Sequence, residues 1–197
     1  MEKKQEILMA AHECFLKYGY SKTSMRDIGQ MVNLNKTSLY YHFNDKLTLF
    51  REVVYINRKR HIHELELQME NQISAYDKIL LFLSEEVKFS QEASVILTSG
   101  NHNIADSKME TKEVYLEIIE DDIKRIEKML KEGINNKELI SCDVRKVART
   151  IMMLTDAVLN VNCPLFVNET DREKVYSHIR EQLNFMIKLM LDGLKLR

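Results

Sequence analysis

Proline occurs once in the 197 residues and glycine five times. Strands joined by tight turns need more of both, so their scarcity favours long helices with short connections. No uninterrupted apolar run reaches the roughly 18–20 residues that a membrane span requires. The N-terminus, Glu2-Lys3-Lys4-Gln5-Glu6 ahead of a helical pattern, has no signal-peptide core, and a cytoplasmic protein is expected. Cys14, Cys142 and Cys163 are odd in number and far apart, which suits reduced thiols rather than a disulfide framework. Chemistry-bearing motifs are also missing. There is no Gly-rich phosphate loop, nucleophile elbow or paired-carboxylate motif, so an enzyme is not expected. His61 and His63, two apart on a helix, point in different directions, unlike an i,i+4 pair of metal ligands. No metal and no cofactor are expected.

What is present is an ordinary globular composition, 45% hydrophobic and 30% charged, enough for one large helical domain or a small head on a larger body. The net charge of −1 is unevenly placed. Up to His63 there are 11 Lys and Arg against 6 Asp and Glu; beyond it there are 18 against 24. A front of +5 and a rear of −6 suit a polyanion-binding head on a body that stays off the polyanion.

Apolar spacing predicts a first helix over about 2–18, with Leu8, Ala11, Phe15 and Tyr18 on one face and Gly19 ending it in a left-handed cap. Ser24 and Asp27 read as a capping box for a second helix, whose Met25, Ile28 and Val32 point inward. Gly29 leaves room for a close crossing, Asn33 tolerates the positive φ of a sharp turn, and Leu34 plugs the corner. A third, short helix follows with Leu39 and Phe43 as its buried side. Asp45 caps a fourth that runs to about residue 72, its Arg58-Lys59-Arg60 run read as a solvated face.

Ser74 caps a fifth helix holding Ile79, Leu80, Phe82, Leu83 and Val87, before a break at Ser99-Gly100-Asn101-His102-Asn103. Leu116, Ile119, Ile123, Ile126 and Leu130 mark a long amphipathic helix ending near Gly133. The last two helices are expected over about 143–163, stopped by Pro164, and about 171–196. The first carries Val144, Val147, Ile151, Leu154 and Val158; the second carries Val175, Ile179, Leu183, Met186 and Met190. The final helix also carries Phe185, Ile187, Leu189, Leu191 and Leu194, which widen that stripe beyond one side, so it needs cover on more than one side, and a second copy of the chain is expected to supply it.

A short polar helix propped on two others, as between Thr23 and Phe50, is the layout of a helix-turn-helix reader of DNA. Three segments here are more specific still: Thr23-Ser24-Met25-Arg26-Asp27-Ile28, Leu39-Tyr40-Tyr41-His42-Phe43, and Asp45-Lys46-Leu47-Thr48-Leu49-Phe50. In order and spacing they resemble the N-terminal region of the tetracycline-repressor (TetR) family, over about the first quarter of the chain. Gly29 stands where alanine is usual, Asn33 where glycine is usual and Thr37 where glycine is common. The resemblance implies an all-α fold of about nine helices: a three-helix DNA-binding head over residues 1–50, and a helical effector-binding and dimerisation body over 51–197. It further implies a homodimer through the last two helices, a (pseudo)palindromic double-stranded operator, and an unidentified small-molecule effector. A repressor released from its operator by that effector is the expected function, by a shift in the spacing of the two heads.

In such a head, Asn35, Lys36, Thr37 and Ser38 lie at the end of the recognition helix that enters the major groove. Lys36 suits guanine O6 or N7, and Thr37 a thymine methyl. Tyr40, Tyr41 and His42 would meet phosphates and groove walls, as matching residues do in the family. Lys46 would share a phosphate with the N–H groups opening the fourth helix. Thr23, Ser24 and Arg26 would touch the other flank. The competing reading places Tyr40 and Tyr41 partly in the core and makes Ser24 only a cap. Family bodies cradle ligands among their middle helices, which nominates Phe82, Tyr115, Met152, Met153, Thr155, Asp156 and Asn160, although core packing is the simpler account of the Met and aromatic members. The alternative function is a helical homodimeric scaffold for other proteins, which leaves the Lys36–His42 surface unexplained.

Overall fold

The computed structural model of the chain describes residues 2–70, 74–98, 111–161 and 169–196. The described residues form eight helices: α1 Glu2–Lys22, α2 Met25–Met31, α3 Lys36–His42, α4 Lys46–Met69, α5 Ala75–Thr98, α6 Lys112–Asn135, α7 Val144–Val161 and α8 Glu169–Asp192. The fold is all-α, as expected. The break expected at 99–103, and Cys163 and Pro164, lie outside the described residues. Two compact units are present, Met1–His63 with Glu92–Tyr115, and Glu64–Gln91 with Leu116–Arg197.

In the first unit, Ile7, Leu8, Ala11, Cys14 and Phe15 form the buried face of α1 at helical spacing. That face does not continue to Tyr18, which is 43% exposed. Gly19 breaks the helix at φ 79°, ψ 161°, a region essentially confined to glycine and distinct from the left-handed cap expected there. The break turns Tyr20 inward in place of Tyr18. Its ring packs edge-on against Phe50 at 4.9 Å and beside Phe15 at 5.8 Å. Thr23 then locks the turn: its hydroxyl donates to the carbonyls of Gly19 at 2.8 Å and Cys14 at 3.1 Å.

The capping box of α2 is present, with Ser24 Oγ accepting from the Asp27 N–H and the Asp27 carboxylate accepting from the Ser24 N–H. Asn33 takes φ 53°, and the Leu34 N–H returns to the Gly29 carbonyl at 2.8 Å. A Cβ on Gly29 would lie 2.9 Å from the Leu34 carbonyl oxygen, so the close approach is to the turn itself. Leu39 and Phe43 are buried with Leu49, Phe50 and Val53 in the same cluster as the α1 and α2 core. Asp45 caps α4 by accepting from the Thr48 N–H at 2.6 Å. Arg58 is only 7% exposed, so the basic run is not a uniformly solvated face; Lys59 and Arg60 are exposed.

In the second unit, Ser74 caps α5 through the Asp77 N–H, and Glu138 adds a bond from the Ala75 N–H at 2.7 Å. The amphipathic stripe of α6 holds at Ile123, Ile126 and Leu130, but Leu116 is 52% exposed. The fully buried line of α7 is Ala148, Ile151, Met152 and Thr155, rotated from the expected valine stripe, whose Val144, Val147 and Val158 are half-buried. On α8 the buried line is Tyr176, Ile179, Leu183, Ile187 and Leu191, while Met186 and Met190 are half-buried. That helix stops at Asp192, short of the expected end. Beyond it the backbone pairs with an extended stretch instead: Ile140 N–H donates to Leu194 O at 2.8 Å and Leu196 N–H to Glu138 O at 3.1 Å. No helix among the described residues is long and apolar enough to cross a membrane.

Candidate DNA-binding surface

α3 is seven residues long and cannot hold itself together by its own hydrogen bonds. Packing on one side and capping at one end hold it. Leu39 and Phe43 are 0% and 1% exposed, and Asn35 Oδ1 accepts from the Ser38 N–H at 2.8 Å. With Leu39 turned inward, the helical repeat sends Thr37 and Tyr41 to the opposite side, Lys36 and Tyr40 to one flank and Ser38 and His42 to the other. The exposures follow that wheel. Tyr41 is 87% exposed and Tyr40 38%, Lys36 and Thr37 are exposed, and Ser38 and His42 are half-buried. Neither tyrosine is a core residue.

The polar groups divide into those already engaged within the protein and those turned outward. Asn35 is exposed, but its carbonyl oxygen is committed to the cap, which leaves its amide N–H groups for a partner. Ser24 is exposed, with its hydroxyl donating to Asp27 at 2.6 Å. That hydroxyl and the Ser24 N–H hold the Asp27 carboxyl below its ordinary pKa. Arg26 is exposed beside it. The Lys36 ammonium lies over the Tyr40 ring, 5.7 Å from its centroid, and the Tyr41 and His42 rings meet edge-on at 5.5 Å. Thr23 does not join this surface. It is 2% exposed with its hydroxyl committed to two backbone carbonyls, so its role is to fasten the end of α1.

Lys46 differs from expectation in what it holds. Its ammonium donates to the Tyr20 carbonyl at 3.0 Å and sits over the Tyr20 ring at 4.2 Å, which ties the start of α4 to the turn after α1. Two further lysines, unmarked by local sequence pattern, do similar work. Lys3 donates to the Val32 carbonyl at 3.2 Å, satisfying the end of α2. Lys4 pairs with Glu52 at 2.7 Å and lies over the Phe43 ring. Their partners are 29 and 48 residues away, beyond the reach of any helical periodicity. Cys14 is buried, its thiol pointing to the Met31 sulfur at 3.1 Å, and burial raises its pKa, which makes it a packing group.

Residues 7–53 match the family described as bacterial regulatory proteins, tetR family. The match covers the head of the chain and not its body. A TetR-family head thus occupies the segment in which α1 to α3 and the start of α4 have just been described. The HTH-type transcriptional regulator YhgD of Bacillus subtilis is 22% identical over 81% of this chain and 83% of its own. The HTH-type transcriptional regulator QacR of Staphylococcus aureus is 38% identical over 30% of this chain and 32% of its own. Among solved structures, a transcriptional regulator from Cytophaga hutchinsonii superposes with a TM-score of 0.77 at 22% identity, covering both chains completely. A TetR-family regulator from Pectobacterium atrosepticum gives 0.76 at 17% identity, over 100% of this chain and 95% of that one. At these identities the superpositions show the shared fold, and the family match covers residues 7–53. With a TetR-type head on a helical body, the chain is similar throughout to transcriptional regulators.

The residues nominated for an effector are less coherent. Phe82, Met152 and Thr155 are buried in the second unit, the Thr155 hydroxyl donating to the Ile151 carbonyl at 2.9 Å. Asp156 is half-buried there. Met153 is 72% exposed because it falls one residue off the buried line of α7, so it supplies no interior wall in the isolated chain. Tyr115 belongs to the first unit and is 44% exposed. The Asn160 side chain lies outside the described residues.

Proposed function

We propose that this regulator is a cytoplasmic repressor that binds a (pseudo)palindromic DNA operator as a homodimer and leaves it when a small molecule binds its body. The observation that carries the reading is α3: a short helix fastened by Leu39 and Phe43 that turns Lys36, Thr37 and Tyr41 outward together. Lys36 and Thr37 would read base edges, while Arg26, Asn35, Tyr40, Tyr41 and His42 would meet the backbone and groove walls. Ser24 and Ser38 serve first as cap partners and would approach the backbone from there. Lys46 would act mainly by holding the α4 N-terminus toward a phosphate, its ammonium being shared with Tyr20. The staphylococcal relative IcaR is named a negative regulator of an operon, which supports repression here.

Dimerisation is supported by exposed apolar side chains on the last two helices: Met153 at 72%, Phe185 at 66% and Leu189 at 59%. Phe185 and Leu189 are four residues apart and share one face of α8. The effector would lie among buried groups of the second unit, with Phe82, Met152, Thr155 and Asp156 the nearest candidates. Selection of bound genomic fragments by the purified chain tests the reading. A two-fold symmetric half-site pair should emerge, with affinity that falls steeply with salt. Recovery of unrelated fragments with no common sequence would favour the scaffold alternative instead.

A further inference from the structure

We propose that Tyr40 is a positioning residue for sequence recognition: its ring face holds the Lys36 ammonium toward one base, so that the ring and not the hydroxyl sets discrimination there. The inference rests on the DNA-binding reading above and adds how one base is chosen. Lys36 and Tyr40 are four residues apart on α3, hence on the same flank of the helix, and the ammonium lies 5.7 Å from the ring centroid. That separation is within cation–π range. The geometry around the pair is already fixed without DNA. Asn35 caps the helix one residue before Lys36, and Leu39 anchors it one residue before Tyr40. Tyr40 is 38% exposed, so it is partly covered by the protein.

The chemistry gives the contact a purpose. A lysine head is a flexible point charge, able to satisfy any phosphate oxygen within its sweep, and such a contact carries no sequence information. Anchoring the stem over an aromatic face narrows that sweep before binding, which lowers the ordering cost of meeting one guanine edge. Tyr41 does not do this. Its ring is 87% exposed and meets His42, on the far side of the helix.

The test uses the full chain and a randomised duplex DNA library, sequenced in bound fractions at several protein concentrations, which gives a base preference at every position. Comparing wild type with Lys36→Ala identifies the position that Lys36 reads. At that position Tyr40→Phe should keep the base preference even as loss of its hydroxyl lowers overall affinity, and Tyr40→Leu should lose roughly two- to fivefold of the preference, the range set by an exposed cation–π contact. The double variant K36A/Y40L should show no loss there beyond that of K36A, while other positions keep their preferences. Tyr40→Met, also lacking a ring, provides the same readout if Tyr40→Leu fails to fold. Preference retained in the ringless variants would overturn the proposal. So would preference lost in Tyr40→Phe, or a loss spread evenly over all positions. If wild type itself enriches no sequence, the DNA-binding reading falls, an outcome distinct from all of these.

Discussion

Gly19 offers a stringent check on how the head is built. Its φ of 79° and ψ of 161° lie where only glycine is comfortable, and its carbonyl receives both the Thr23 hydroxyl at 2.8 Å and the Thr23 N–H at 3.2 Å. Gly19→Ala keeps every hydrogen-bonding group but forces a Cβ into that conformation, at a cost of about 1–3 kcal/mol. Reduced freedom of the unfolded chain offsets roughly 0.4–1 kcal/mol. A net loss of about 1–2 kcal/mol is expected, which for a chain of this size lowers Tm by about 2–8 °C. Because the same turn presents Tyr20 to Lys46 and Phe50, operator affinity should fall as well. Thermal unfolding by circular dichroism at fixed protomer concentration measures the first effect, and a mobility-shift titration at fixed salt the second. Gly193→Ala is a comparison at a glycine without a positive φ, where the added Cβ would sit tightly, 3.3 Å from the Met190 carbonyl oxygen, but in an ordinary backbone conformation. A Gly19→Ala protein with wild-type Tm would refute the strained turn, and with it this account of why Tyr20 rather than Tyr18 is buried.

Substitutions at three other positions probe separate parts of the molecule. Thr23→Val is nearly isosteric but strips both carbonyls of their hydroxyl donor, so the urea midpoint should fall by the equivalent of about 1–2 kcal/mol while Thr23→Ser retains most of it; equal midpoints would return Thr23 to the surface role. Hydrogen bonds from Ser24 lower the Asp27 pKa, so its contribution to stability is full above the ordinary carboxylate value and is lost as pH falls through the lower folded value. Asp27→Asn should therefore be less stable than wild type near neutrality and lose less on acidification, and parallel pH–stability curves would contradict that. Phe185→Glu should convert the proposed dimer to monomer in sedimentation velocity at micromolar concentration; a variant that still sediments as a dimer would place the interface elsewhere.

Much of the head was legible because its signals are local. Ser24 with Asp27, Asn33 at the turn, Leu39 with Phe43 and the Asp45 cap each act over four or fewer residues, and each stands in the structure as spacing implied. Local pattern is silent where partners are distant. Thr23 reads as a polar surface residue until Cys14 and Gly19 are seen to accept from it. Lys46 reads as a free cation until Tyr20 arrives from 26 residues away. On α7 the true buried line includes Thr155 and Ala148, residues whose hydropathy does not announce burial, so a valine stripe drew the face slightly off its axis.

The residues alone determined that this chain is helical, that it carries a helix-turn-helix head of the TetR kind, and which short helix is proposed to meet DNA. Those properties follow from periodicity, capping and turn chemistry, all written within a few residues of one another. Only the tertiary structure decided which of the polar residues remain available. A side chain is free or committed according to what folding brings beside it, and it committed Thr23, shared Lys46 with Tyr20, laid Lys36 on Tyr40 and left Tyr41 bare.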